Sequence, residues 1–260
     1  MSTFKGKVAI ITGSSHGIGA AIAQKLASLG ANCVITGRDE KRIETVVNKC
    51  NELSGSDTRT ALGVRADLLV ANDLKNLVDK TVKQFGRIDI LVNCAGFEQS
   101  VNLTDSADDY FAAYDKVMAT NARSVQVLSR LVVPYLLANN NQGSAILNIS
   151  STLSLIPDPT TIPYCMSKCA LDMFTKCLAL ELGPKGVRVN AINPGAIRTP
   201  RDEETDKFLV DHCQKSYPLK RIGEVEDIAE TAAFLCSSAA SFITGVVLAV
   251  DGGAMLCGLP

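Results

Sequence analysis

Residues 7–19 run Lys7-Val8-Ala9-Ile10-Ile11-Thr12-Gly13-Ser14-Ser15-His16-Gly17-Ile18-Gly19. A short apolar run bounded by glycine is followed from Ala20 to Leu29 by apolar residues at helical spacing, and then by Gly30, so the stretch predicts strand, turn and helix. Glycines between a strand and a helix let the backbone turn tightly and approach a ligand. The free N–H groups and positive end of the following helix attract a pyrophosphate. The spacing is T-G-x-x-x-G-I-G rather than G-x-G-x-x-G.

The same alternation continues outward. Asn32 to Thr36 is a second short apolar run, and Ile43, Val46, Val47 and Cys50 then fall on one helix face. Thr60 to Ala66 predicts a third strand, and Leu74, Leu77, Val78, Thr81 and Phe85 form a third helix stripe before the apolar run Ile88 to Val92. A helical region follows from about Ser106 to Ala138, then a strand at Ala145 to Ile149 and a helix from about Pro163 to Leu182. Val187 to Ile192 and Val246 to Val250 complete the strands. Buried-type strands alternating with crossover-length helices imply a parallel sheet covered on both faces, a doubly wound α/β fold. Asn139 to Gly143 reads as a helix-to-strand loop. The least regular stretch, residues 194 to 217, follows a strand end and is the expected substrate loop of a single domain spanning residues 1–260.

Composition narrows the partners. The 260 residues carry 26 Lys+Arg against 27 Asp+Glu, a formal net charge of −1, which leaves no basic excess for a nucleic acid. No apolar run approaches the roughly 20 residues of a membrane helix. Val8 to Ile11 is too short for the apolar core of an export signal, and the nine cysteines are scattered, odd in number and without a C-x-x-C pair. A reducing, cytoplasmic setting without a structural disulfide framework is expected. With two histidines, no metal is expected in the chemistry.

The second informative stretch is Tyr164-Cys165-Met166-Ser167-Lys168. Spacing of i, i+4 puts phenol and ammonium on one helix face, about 5–6 Å apart at Cβ. The cation there can stabilise a phenolate. Ser151 lies 13 residues before Tyr164, just past a strand, and Asn121 lies in the long preceding helical region; Ser150 is the rival serine. With the glycine loop and these residues in hand, the chain resembles the short-chain dehydrogenase/reductase family, whose members carry Asn, Ser, Tyr and Lys in this order on a Rossmann-type fold. The resemblance implies that Tyr164 is the acid/base, that Ser151 hydrogen-bonds the substrate oxygen, that Lys168 lowers the tyrosine pKa while holding the nicotinamide ribose, and that Asn121 orders a water-linked proton path. Reducing a carbonyl needs a hydride and a proton donor, and an unassisted phenol is too weak an acid near neutrality.

The likeness extends over nearly the whole chain. Asn93-Cys94-Ala95-Gly96 is similar to the family's N-N-A-G. Asp67-Leu68 corresponds to residues bordering adenine, with a helix cap as the competing role for the Asp. Pro194-Gly195-Ala196-Ile197-Arg198-Thr199 is similar to P-G-x-I-x-T, where Ile197 and Thr199 would meet the nicotinamide carboxamide and phosphates. The implied cofactor contacts are therefore Gly13, Ser15, His16, Gly17, Ile18, Gly19, Arg38, Asp67, Leu68, Asn93, Ala95, Gly96, Tyr164, Lys168, Pro194, Gly195, Ile197 and Thr199. NADP is favoured over NAD: Gly37 stands where NAD users place an acid, and Arg38 offers a planar fork for a 2′-phosphate, with Asp39 as counter-indication. Phe97 to Leu103, Thr152 to Pro159 and the segment after Thr199 are the expected pocket wall for a small carbonyl or alcohol substrate with an apolar body. Relatives imply a homo-oligomer, tetramer or dimer, with Ala240 to Met255 partly interfacial. Cys165 and Cys169 are expected to be inert packing. Two other readings are an NAD-dependent alcohol dehydrogenase of the same family and a dinucleotide-binding regulatory protein without catalysis.

Overall fold

The apolar runs become strands that are buried on both faces, because helices cover both sides of the sheet. The structure is a computed structural model, and it describes residues 4–55, 60–139, 143–200 and 203–257. Among these residues the strands are β1 (Val8–Ile11), β2 (Asn32–Gly37), β3 (Ala61–Arg65), β4 (Ile90–Asn93), β5 (Ser144–Ile149), β6 (Val187–Pro194) and β7 (Val247–Val250). They form one parallel sheet in the order β3-β2-β1-β4-β5-β6-β7.

The helices are α1 (Gly17–Ser28), α2 (Glu40–Ser54), α3 (Ala71–Phe85), α4 (Ala107–Met118), α5 (Ser124–Ala138), α6 (Ile162–Leu182), α7 (Glu203–Ser216) and α8 (Val225–Cys236). On one face Ile22, Leu26, Ile43, Ile228 and Leu235 pack against β1, β2 and β5. On the other, Leu74, Leu77, Leu128, Val132, Leu178 and Leu182 pack against β1, β4, β5 and β6. Strand order reverses between β1 and β4, and a crevice opens there beyond the carboxyl ends of the strands, where this class of sheet binds ligands.

The structure departs from the sequence expectation in three places. The region expected to be irregular holds α7, whose first turn is acidic (Glu203, Glu204, Asp206) and whose single buried residue is Cys213. Because α7 buries almost nothing, it has no apolar stripe to betray it. The second place is α8, which begins at a capping box between Glu224 and Asp227. Third, the long helical region is not uniform: a π-helical turn at Ala119–Arg123 joins α4 to α5. The expected loop at Asn139 to Gly143 lies partly outside the described residues.

Candidate active site

The end of β1 is tied to the end of β4 by one hydroxyl. Thr12 Oγ1 accepts from the backbone N–H of Cys94 (3.0 Å) and of Ala95 (3.1 Å). The next residue, Gly13, has φ +64°, and a Cβ there would lie 2.8 Å from Ala95 Cα. A Cβ on Gly19 would fall 2.5 Å from the Gly13 carbonyl oxygen. Only glycine fits these two contacts. Beyond the loop, α1 starts without a side-chain cap at His16 and without an acidic residue in its first turn. Its leading amides and positive end therefore face the crevice uncompensated, as a pyrophosphate requires, so the residues present fit a dinucleotide.

The second group assembles where β5 ends and α6 begins. Ser151 caps the short turn Thr152–Ser154 by accepting from Leu153 N (3.2 Å). Ser150, the rival, is buried and donates to the Lys168 carbonyl at 3.3 Å. Lys168 is buried, with Nζ donating to the Ile149 carbonyl at 2.9 Å and standing 5.4 Å from the centroid of the Tyr164 ring. Burial lowers Lys168 from its usual 10.5 to about 8, against partial support from Cys94, Asp172 and Glu98. Burial pushes the Tyr164 phenol well above its usual value, Glu98 adds to this, and a hydrogen bond with Ser151 pulls the other way. Desolvation sets the direction for the phenol, and the one group that lowers it is Ser151 rather than the expected Lys168.

Both groups open into one cavity of about 910 Å³. Gly13, Ser15, His16, Gly17, Ile18, Gly19, Arg38, Asp67, Leu68, Ala95 and Gly96 line it on the glycine-loop side. Ser151, Tyr164, Lys168, Pro194, Gly195, Ile197 and Thr199 line it on the other. Two expected residues do not. Asn93 is buried beneath the floor, donating to Asn148 Oδ1 (2.8 Å) and Ser129 Oγ (3.4 Å). Asn121 sits in the π-helical turn and clasps Phe97, accepting from its N–H at 2.8 Å and donating to its carbonyl at 2.9 Å, with a further bond to Ser167 Oγ at 3.0 Å. Its amide is committed to holding the loop after β4.

Comparison with known proteins agrees with this geometry. A family model described as enoyl-(acyl carrier protein) reductase matches residues 13–255. The chain is 37% identical to glucose 1-dehydrogenase of Gluconobacter oxydans, covering 98% of this chain and 94% of the relative. It is 32% identical to 3-oxoacyl-(acyl carrier protein) reductase of Thermotoga maritima, covering 97% and 99%. The chain belongs to the short-chain dehydrogenase/reductase family. Among solved family structures, L-sorbose reductase from Gluconobacter frateurii, complexed with NADPH and L-sorbose, superposes with a TM-score of 0.88 at 32% identity over 98% of this chain and 99% of that one. A 7α-hydroxysteroid dehydrogenase complexed with NADH and 7-oxo glycochenodeoxycholic acid gives 0.85 at 34% over 96% and 94%. As a short-chain dehydrogenase/reductase the chain is an NAD(P)-dependent oxidoreductase acting on alcohol and ketone groups.

Several residues of this family member's cavity were not singled out from sequence. Lys116 stacks over the Phe97 ring at 4.3 Å. From α7 come Leu209 and His212, the latter stacked on Phe208 and meeting the Tyr217 ring edge to face. No periodic signal marks them, because α7 is itself unmarked. Asp39 turns out to be the N-cap of α2, accepting from Arg42 N at 3.1 Å, and does not line the cavity. Asp67 is not the cap of α3; it accepts from Leu69 N at 3.0 Å, while Asp73 receives the Asp67 N–H at 2.8 Å. Cys169 is exposed rather than packed inside, and Cys165 is half-buried. Among the described residues no cluster of three or more His, Cys, Asp or Glu is placed to hold a metal, and no helix is long and apolar enough to cross a membrane.

Proposed function

We propose that this protein interconverts a secondary alcohol and a ketone with NADP(H), Tyr164 serving as the acid/base. The observation that carries the reading is the convergence of Ser151, Tyr164 and Lys168 on the same cavity as the uncapped glycine loop. The dinucleotide supplies or accepts the hydride. Tyr164 holds its proton at the phenol oxygen, which suits it to protonate a developing alkoxide, and Ser151 is placed beside it to orient the substrate oxygen. Lys168, an ammonium below about pH 8, offers donors for ribose hydroxyls and an opposite charge for the phenolate formed in the oxidation direction. Asn121 fixes the Phe97 backbone across from them, so the carbonyl meets a preset wall. Any water-linked path from Asn121 would have to run from its backbone, since its side chain is engaged.

Preference for NADP(H) is supported by Arg38, which lines the cavity, and by Asp39, which is engaged as the cap of α2 and does not line it. The substrate is a small or medium carbonyl compound, held between Phe97, Leu153, Ile156 and Leu209. The edge strand β7, the fully exposed Phe242 that precedes it, and the exposed Met166, Met173 and Leu180 along α6 support a homo-oligomer. The test follows reduced-nicotinamide consumption with NADPH and NADH in parallel against diketones, ketoesters, quinones, steroids and sugars, with Tyr164→Phe as the blank. Turnover that vanishes in Tyr164→Phe while nucleotide still binds is expected; full activity in that variant overturns the assignment. Arg38→Ala is expected to weaken NADPH far more than NADH, and equal losses overturn the NADP preference.

A further inference from the structure

Behind the site, one turn of α6 beyond Lys168, lies a buried acid that the chemistry above does not use. Tyr164, Lys168 and Asp172 are spaced i, i+4, i+8 and share a face of the helix. Asp172 is 6% exposed. Its Oδ2 accepts from Ser154 Oγ at 2.5 Å and from Asn193 Nδ2 at 3.0 Å, and the same Asn193 amide donates to Ser154 Oγ at 2.7 Å. Its second oxygen, Oδ1, has no partner among the described residues. Among the described residues both donors on this carboxyl group are neutral, although a buried carboxylate costs several kcal/mol when it is not matched by a cation.

The three members of the cluster come from three segments that each carry part of the site. Ser154 ends the turn that Ser151 caps, and its N–H donates to the Ser151 carbonyl at 3.0 Å. Asn193 is fully buried at the end of β6, immediately before Pro194 and Gly195. A second bond across the same gap, Thr152 Oγ1 to the Pro194 carbonyl at 3.3 Å, joins the turn to the strand. We propose that Asp172 is a positioning residue for this site: through Ser154 and Asn193 it locks the Ser151 turn and the Pro194–Gly195 segment onto α6, one helical turn beyond Lys168. The inference rests on the reading of Ser151, Tyr164 and Lys168 given above.

Few groups besides Asp172 bear on the charge of Lys168. Cys94 and Glu98 face Lys168 from the loop after β4, Tyr164 faces it from its own helix, and burial works against its charge. Cys94 is pushed up to about 12 by burial and stays a neutral thiol near pH 8, and Glu98 lies at the exposed rim, which leaves Asp172 as the buried carboxyl group of the set. Asp172, after burial, also raises the thiol of Cys169.

The experiment compares Asp172→Asn, Ser154→Ala and wild type, each checked for fold by circular dichroism. The side-chain ε-carbon of Lys168 is titrated by NMR in the nucleotide-free protein, its signal assigned by its loss in Lys168→Met. In Asp172→Asn the midpoint is expected to fall by about one pH unit, and the basic limb of the kcat profile for NADPH-dependent reduction to move with it. In Ser154→Ala the midpoint is expected to stay, while kcat falls on the order of ten- to a hundredfold with KM changed by less than about twofold. An unmoved lysine midpoint in Asp172→Asn, or full kcat in Ser154→Ala, overturns the proposal. Should Asp172→Asn not fold, Ser154→Ala decides the positioning role alone. The lysine titration needs no turnover, so activity retained by Tyr164→Phe would remove the functional reading and leave this result standing.

Discussion

Lys168 is buried and Tyr164 half-buried, each prefers to be neutral, and the two preferences have opposite consequences for pH. For the phenol, a raised pKa keeps the proton donor loaded throughout neutrality. Reduction is therefore expected to be flat with pH up to the point where Lys168 discharges, whereas the oxidation rate, which needs the phenolate, is expected to climb with pH; a profile measured in both directions checks this. For the lysine, the folded state binds fewer protons than the unfolded chain between about pH 8 and 10.5. Stability conferred at this position thus rises with pH across that window, and the cost of the buried ammonium is fully present below it. Lys168→Met is expected to be more stable than wild type at pH 7 by up to about 3 kcal/mol, less the lost bond to Ile149, with the advantage shrinking by pH 10. Urea unfolding at the two pH values reads the difference. At the other end of the cavity, a Cβ on Gly37 would lie 2.7 Å from Ser15 Oγ and 3.0 Å from Ser15 Cβ. Gly37→Asp alone is expected to weaken both dinucleotides, and Gly37→Asp with Ser15→Gly to favour NADH, as fluorescence titration would show.

Elements put these residues in place, and the same elements explain what sequence could and could not disclose. The loop from Gly13 to Gly19 was legible because close backbone approach leaves a chemical mark: no other residue fits. Gly13→Ala, which would set a Cβ against the Ala95 backbone at positive φ, is expected to cost on the order of 1–3 kcal/mol and to abolish tight dinucleotide binding, measured by thermal denaturation and titration. The Tyr164–Lys168 pair was legible because helix geometry converts spacing into proximity. Asn93 and Asn121 were legible as residues but not as directions, since an amide that faces a ligand and one that turns inward look alike in a sequence. The role of Asp39 was decided by which way α2 starts, and α7 by contacts that buried only Cys213, so neither left a periodic trace. Asp172 was silent for a further reason: its partners Ser154 and Asn193 lie 18 and 21 residues away, joined only by the fold.

At the scale of the whole molecule, part of the exposed apolar surface forms a stripe along α6. Met166, Met173 and Leu180 repeat every seven residues along α6, with Cys169 and Cys177 on the same side, and Phe242 is fully exposed in the segment leading to β7. Sedimentation velocity is expected to show a dimer or tetramer, and Phe242→Asp to shift the distribution toward smaller species. The strand order carries a different consequence, one of timing. β1 forms early in the sequence, but its inner neighbour β4 begins only at Ile90, and β6 waits for β7 at Val247. The cavity wall draws residues from Gly13 through Cys257. Helices can form while the chain is still being made, yet the crevice closes only when distant parallel strands have found one another, a slow search. A nascent chain is therefore inert until its last strand is released, and after dilution from denaturant the return of activity should lag well behind the return of helix.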